Sequence, residues 1–189
     1  MAHPYTLTTD GASPVELVDV KAYLRVDDPN EDEVIKLMLA SVTRFGETYT
    51  GRDFSAKTWT TNLDCFEDKN VLRKSPLAGI TSITYTDVDD VATPFTTFEL
   101  FLRNQWSYFC LDNDTSQYPT DIKVAAAPIT VVMTTRAPDN VDEIRLAIFQ
   151  LMTRIWSERG DCETQKEIDA KVVESGAASF FDFCRIARV

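Results

Sequence analysis

Asn30 to Gly51 reads NEDEVIKLMLASVTRFGETYTG and carries the marks of one long amphipathic helix. Asn30 is a suitable capping residue, and Glu31, Asp32 and Glu33 fill the first turn, where the helix dipole favours negative charge. Val34, Leu37, Met38, Val42, Phe45 and Tyr49 recur at spacings of three and four, which predicts the buried face. Ile35 and Leu39 widen the apolar surface beyond what one packing partner requires. Gly46 costs such a helix about 1 kcal/mol relative to alanine. Gly51 is a natural stop.

Working outward, Ser13-Pro14-Val15-Glu16 predicts an earlier helix start, with a serine cap, a proline in the first turn and a glutamate three residues on. Leu17, Val20 and Leu24 follow at helical spacing, and Val26-Asp27-Asp28-Pro29 reads as the turn that ends it. Beyond Phe54 the period becomes two. Strands are expected at Trp59–Leu63, Ile80–Tyr85, Ile122–Ala126 and Ile129–Thr135, with a hairpin from Phe98–Leu102 to Trp106–Leu111. Helical spacing returns after Pro138, where Asp139 or Asn140 can cap and Ile144, Ile148, Leu151 and Ile155 form a stripe flanked by Ala147, Met152 and Trp156. Residues 161–177 are polar, with at most a short helix near Ile168–Val173. The order of helices, strands and helices predicts an α+β fold. Its N- and C-terminal helices form a bundle, and a small, mostly antiparallel β unit is inserted between them. The expected parts are 1–53 (helical), 54–136 (the β unit) and 137–189 (a helix and an interaction arm).

The 189 residues carry a net charge of −11, and 44% are hydrophobic. Such an acidic surface repels phosphate, so conventional nucleic-acid binding is not expected. No apolar run reaches the ~18 residues of a membrane span. Nothing near the N-terminus reads as a signal peptide, which points to a protein kept in a cytoplasm. Cys65, Cys110, Cys162 and Cys184 lie far apart, and His3 is the one histidine, so neither a zinc site nor a disulfide framework is expected.

The sequence has no nucleophile elbow and no phosphate-binding loop, and a lone histidine near the terminus is a poor general base. The acidic group Asp27, Asp28, Glu31, Asp32 and Glu33 lacks the glycine and final glutamate spacing of a calcium loop. It reads as a turn and a charged helix start, facing solvent or a channel rather than holding a metal. Asp87-Val88-Asp89-Asp90 reads as a turn. These observations predict no catalytic residues, no metal and no cofactor.

The C-terminal Phe180, Phe181, Phe183, Arg185, Ile186 and Arg188 combine aromatics with arginine, the usual anchors of protein interfaces. Folding back onto the core is the other reading of this segment.

Several pieces taken in order resemble the head–tail connector proteins of tailed phages, also called adaptors, of which gene transfer agents carry relatives. They are Val20-Lys21-Ala22-Tyr23-Leu24-Arg25-Val26-Asp27, Asp32-Glu33 opening a helix, and Phe45-Gly46-Glu47-Thr48-Tyr49-Thr50-Gly51-Arg52. Arg73-Lys74-Ser75-Pro76-Leu77 with Ile80–Tyr85, Tyr118-Pro119, the helix Ile144 to Arg159 ending in Trp156-Ser157-Glu158-Arg159, and Phe180 to Val189 continue the likeness. Gly46 departs from it, standing where a better helix former is usual.

The resemblance implies a structural, non-enzymatic subunit of a dodecameric ring at the head–tail junction of a virion, assembled in the host cytoplasm. Its partners would be the portal protein, neighbouring copies of itself, the next neck or tail component, and DNA passing without specific binding. The C-terminal residues just named would form the arm that docks on the portal. Two alternatives stand beside it. One is another neck component, such as a head-closure or tail-terminator protein. The other is an acidic regulatory protein that binds a host factor.

Overall fold

A computed structural model describes residues 4–103, 107–111, 117–157, 173 and 176–185. The fold is α+β and divides into two compact units. One combines residues 1–11 with 55–137, and the other combines 12–54 with 138–189.

The first unit is made of strands. A five-stranded antiparallel sheet has the order β1-β2-β8-β4-β5, formed by Tyr5–Thr9, Thr58–Leu63, Ile129–Thr135, Leu77–Thr86 and Ala92–Pro94. A three-stranded sheet has the order β3-β7-β6, formed by Asn70–Leu72, Ser107–Leu111 and Phe98–Phe101. Strand alternation sets the core. On β8, Ile129, Val131, Met133 and Thr135 are buried while Thr130, Val132 and Thr134 are half-buried on the other face. Ile83 of β4, Leu63 of β2, Leu72 of β3 and Phe109 of β7 join the same apolar cluster, so both sheets supply one core.

Three features of this unit depart from the sequence reading. Ile122–Ala126 forms no strand; Ile122 makes one isolated bridge to Asp87. The three alanines before Pro128 offer little side chain to bury, and the backbone turns there, with Ala127 at φ 56°. The short strands β3 and β5 had no visible period. Finally, the helical part expected over 1–53 begins only after Gly11, because Tyr5–Thr9 pairs antiparallel with β2. The Tyr5 hydroxyl accepts a hydrogen bond from the Arg73 amide at 2.9 Å, which ties this edge strand to the loop before β4.

The second unit is helical. Helix α1 is Leu17–Leu24, α2 is Asp32–Thr50, α3 is Val141–Ser157 and α4 is Ala177–Cys184. Its core joins Val20, Ile35, Leu39, Val42, Phe54, Ile144, Ile148, Leu151, Met152 and Phe181. The start of α1 lies later than Ser13 predicts. Glu16 is in the cap position, and the Ser13 hydroxyl accepts from Val15 N at 3.3 Å within a turn. Arg25, in left-handed conformation with φ 58°, ends the helix.

The cap before α2 is Asp28 rather than Asn30. Its carboxylate accepts from Asn30 N at 2.9 Å and from the Asn30 side-chain amide at 2.8 Å, and it caps a 3-10 turn over Pro29–Glu31 that leads into α2. Replacing Asp28 with alanine is expected to cost about 1 kcal/mol. Denaturant titration of Asp28→Ala against the parent would reveal it, and Asp28→Asn should recover most of the loss.

The buried face of α2 is rotated in part from the predicted one: Val42 is shared, and Met38, Phe45 and Tyr49 pack half-buried at its edge. Ile35, Leu39, Val42, Gly46 and Thr50 face the core, whereas Leu37 is 70% exposed and Val34 is 43% exposed. Gly46 explains the rotation. A Cβ there would lie 2.7 Å from Phe54 Cε2 and 3.0 Å from Phe181 Cζ. The helix turns its smallest residue inward, where two buried rings need the space.

Candidate functional site

Among the described residues, no group of three or more His, Cys, Asp or Glu is placed to hold a metal. No described helix is long and apolar enough to cross a membrane. Cys65 and Cys110 are free thiols, while Cys162 and His3 lie outside the described residues.

The acidic residues do not converge. Asp27, Asp28 and Glu33 are exposed, and Glu31 and Asp32 are half-buried. Each of three has a structural task. Asp28 caps, Asp32 pairs with Lys21 of α1, and Glu33 pairs with Lys36 at 2.7 Å.

The C-terminal segment contributes to the core. Phe181, read from sequence as a docking anchor, is a core residue with no exposed surface. Its ring lies 6.1 Å from that of Phe54 and 6.2 Å from that of Tyr49. Phe180 is half-buried against the same core, and Arg185 is exposed. The Phe183 side chain, Ile186 and Arg188 lie outside the described residues, as does the short helix expected before Val173.

A polar clasp holds α4 to α2. Tyr49 donates to the Asp182 carboxylate at 2.8 Å, and the Arg185 guanidinium stands 5.0 Å above the Tyr49 ring and 3.8 Å from the same carboxylate. Donation to Asp182 favours the protonated phenol and, with some desolvation, raises the Tyr49 pKa above its ordinary value.

Among the described residues of the helical unit, α2 and α3 each carry an exposed apolar spot. On α2, Val34, Leu37, Ser41, Arg44 and Thr48 recur along the face opposite the core. Ser41 and Thr48 turn their hydroxyls back onto the Leu37 and Arg44 carbonyls, each at 2.9 Å, and the charges along this face are Glu33, one turn before Leu37 and paired with Lys36, and Arg44. On α3, Leu146 is 39% exposed, and Phe149 is stacked by Tyr23 of α1 at 4.7 Å. Arg145 and Asp19 pair at 3.1 Å one turn earlier, fixing the two helices beside each other. Sequence periodicity missed the α2 spot because it had assigned Val34 and Leu37 to the core.

Solved structures share this fold. A chain in the neck of an empty gene transfer agent (GTA) particle, computed with C6 symmetry, superposes with a TM-score of 0.73 at 16% identity, over 97% of this chain and 97% of that one. A chain in the virion of a native GTA particle gives 0.72 at 15% identity, over 98% and 96%. A chain in the neck of a native GTA particle, computed with C12 symmetry, gives 0.65 at 16%, over 97% of each. No family model and no curated protein matches the chain.

The likeness spans both units and leaves no large part of either chain unmatched.

Proposed function

We propose that this chain is a structural, non-enzymatic subunit of a virion neck, a head–tail connector that forms a ring beneath the portal, extends the DNA channel and presents a platform to the next neck or tail component. The observation that carries the reading is the end-to-end likeness to chains of neck assemblies computed with cyclic symmetry. A ring subunit must offer two different surfaces to its neighbours. The separate apolar spots on α2 and α3 suit that requirement.

The net charge of −11 suits a conduit for DNA, because cationic walls would bind the passing phosphates. The exposed acids Asp27, Asp28 and Glu33 are assigned to the channel wall or to solvent. Portal contact is assigned to the C-terminal end: Phe180, Phe183, Arg185, Ile186 and Arg188, without the buried Phe181. In this role the protein needs neither a cofactor nor a metal.

The test is removal of the gene from the particle that encodes it. Heads that carry portal but no tails are expected, and supplying the protein in trans should restore tailed particles. Tailed particles of ordinary composition in its absence would overturn the proposal.

A further inference from the structure

We infer that the outer face of α2 on one copy docks on the outer face of α3 on the next, head to tail, through Leu37 and Val34 against Leu146 and the Tyr23–Phe149 stack, with Arg44 meeting Asp142. This rests on the ring proposed above and names the surfaces that would build it.

The first argument is direction. Ile35, Leu39 and Val42 of α2 and Ile144, Ile148 and Leu151 of α3 share one core. Leu37 and Arg44 lie on the side of α2 opposite its core residues, and Asp142 and Leu146 on the side of α3 opposite its own. The two outer faces therefore look away from each other. A contact between them is heterologous: it cannot close as a twofold dimer, and it propagates from copy to copy. Nearly opposed surfaces leave a small rotation per copy, as a ring of many subunits requires.

The second argument is complementarity. The α2 face has Val34 and Leu37 at one end, beside the Glu33–Lys36 pair, and a cationic end, Arg44. The α3 face has an apolar end, Leu146 with Phe149 beneath Tyr23, and an acidic end, exposed Asp142 and Glu143. Arg44 lies C-terminal to Leu37 by roughly 10 Å, and Asp142 lies N-terminal to Leu146 by roughly 6 Å, at 1.5 Å per residue. An antiparallel crossing that sets Leu37 on Leu146 thus carries Arg44 toward Asp142, and the long arginine side chain spans the remainder. In a chain this acidic, the exposed Arg44 at the C-terminal end of this face finds its complement on another copy, while Glu33 at the other end is paired with Lys36 of its own helix.

The experiment is a charge exchange combined with a cross-link, in the whole protein. Arg44→Glu and Asp142→Arg, each alone, should reduce the number of copies on portal-bearing heads by about tenfold or more, since every contact around the ring is weakened. The double variant should return to within about twofold of the parent. All these positions are exposed, so melting temperatures should match the parent.

Separately, a Leu37→Cys/Leu146→Cys chain should give, on oxidation of particles, a ladder of covalent multimers that the parent, with its own four cysteines, does not give. Single variants at parental occupancy overturn the inference. So does a ladder that stops at the dimer, or loss of attachment that the exchange fails to restore, since the faces would then meet some other protein. Should the parent itself be missing from necks, the connector reading fails on that separate count. The same oxidation in concentrated solution then decides the contact, and absence of multimers there overturns it.

Discussion

Replacing Phe181 with alanine is expected to destabilise the helical unit by about 3–5 kcal/mol, the ordinary cost of emptying a fully buried phenylalanine site. The ring has no exposed surface and fills the space between Gly46, Phe54 and Tyr49. Those neighbours sit on α2 and on the segment after it, and backbone geometry holds them, so the site cannot collapse onto the void. For a unit of this size the melting temperature should fall by roughly 10 °C or more. Thermal unfolding followed by circular dichroism gives the answer directly.

A Phe181→Ala protein that melts with the parent would mean that the Phe181 ring contributes nothing to the core. The same burial predicts that deleting Ser179 to Val189 lowers stability sharply, so that deletion cannot by itself separate a docking role from a folding one. Arg185→Ala leaves Phe181 in place and is the cleaner probe of portal attachment. It removes an exposed guanidinium whose neighbours are the Tyr49 ring and the Asp182 carboxylate.

Replacing Gly46 with alanine should also destabilise, against the direction helix propensity gives. In an open helix the change would gain about 1 kcal/mol. Here the new methyl would stand 2.7 Å from the edge of Phe54 and 3.0 Å from that of Phe181, and both rings are fully buried. Overpacking of this kind costs about 1–3 kcal/mol, so the net effect is a loss that grows with side-chain size. Equilibrium denaturation of Gly46→Ala and Gly46→Val tests it, with the valine variant expected to be the weaker. Combining Gly46→Ala with Phe181→Leu, which retracts one ring edge, should cost less than the two separate losses added together. A stabilised Gly46→Ala would show that the rings yield freely and that Gly46 is merely a poor helix residue.

By itself the sequence determined the class and order of the elements. The switch from a period of three and four to a period of two after Phe54, and back after Pro138, is a property of local side-chain alternation, and it survives intact in α2, β2, β8 and α3. Leu63, Ile83, Ile129, Ile144 and Ile148 lie where that alternation puts them.

Tertiary structure decided what local pattern cannot encode. Around α2, apolar residues occupy so much of the circumference that several faces could serve as core. Phe45 and Tyr49, which pack half-buried at the edge of the core, drew the expected face to one side of that bearing Gly46 and Thr50. The choice fell to Phe181, far along the chain, whose ring needs a place where no Cβ stands. The edge strand Tyr5–Thr9 likewise has few apolar residues of its own and forms because β2 offers it an unpaired backbone edge. And composition alone cannot assign Phe180 and Phe181: the helix turns Phe181 fully into the pocket beside Gly46 and leaves Phe180 half-buried against the same core.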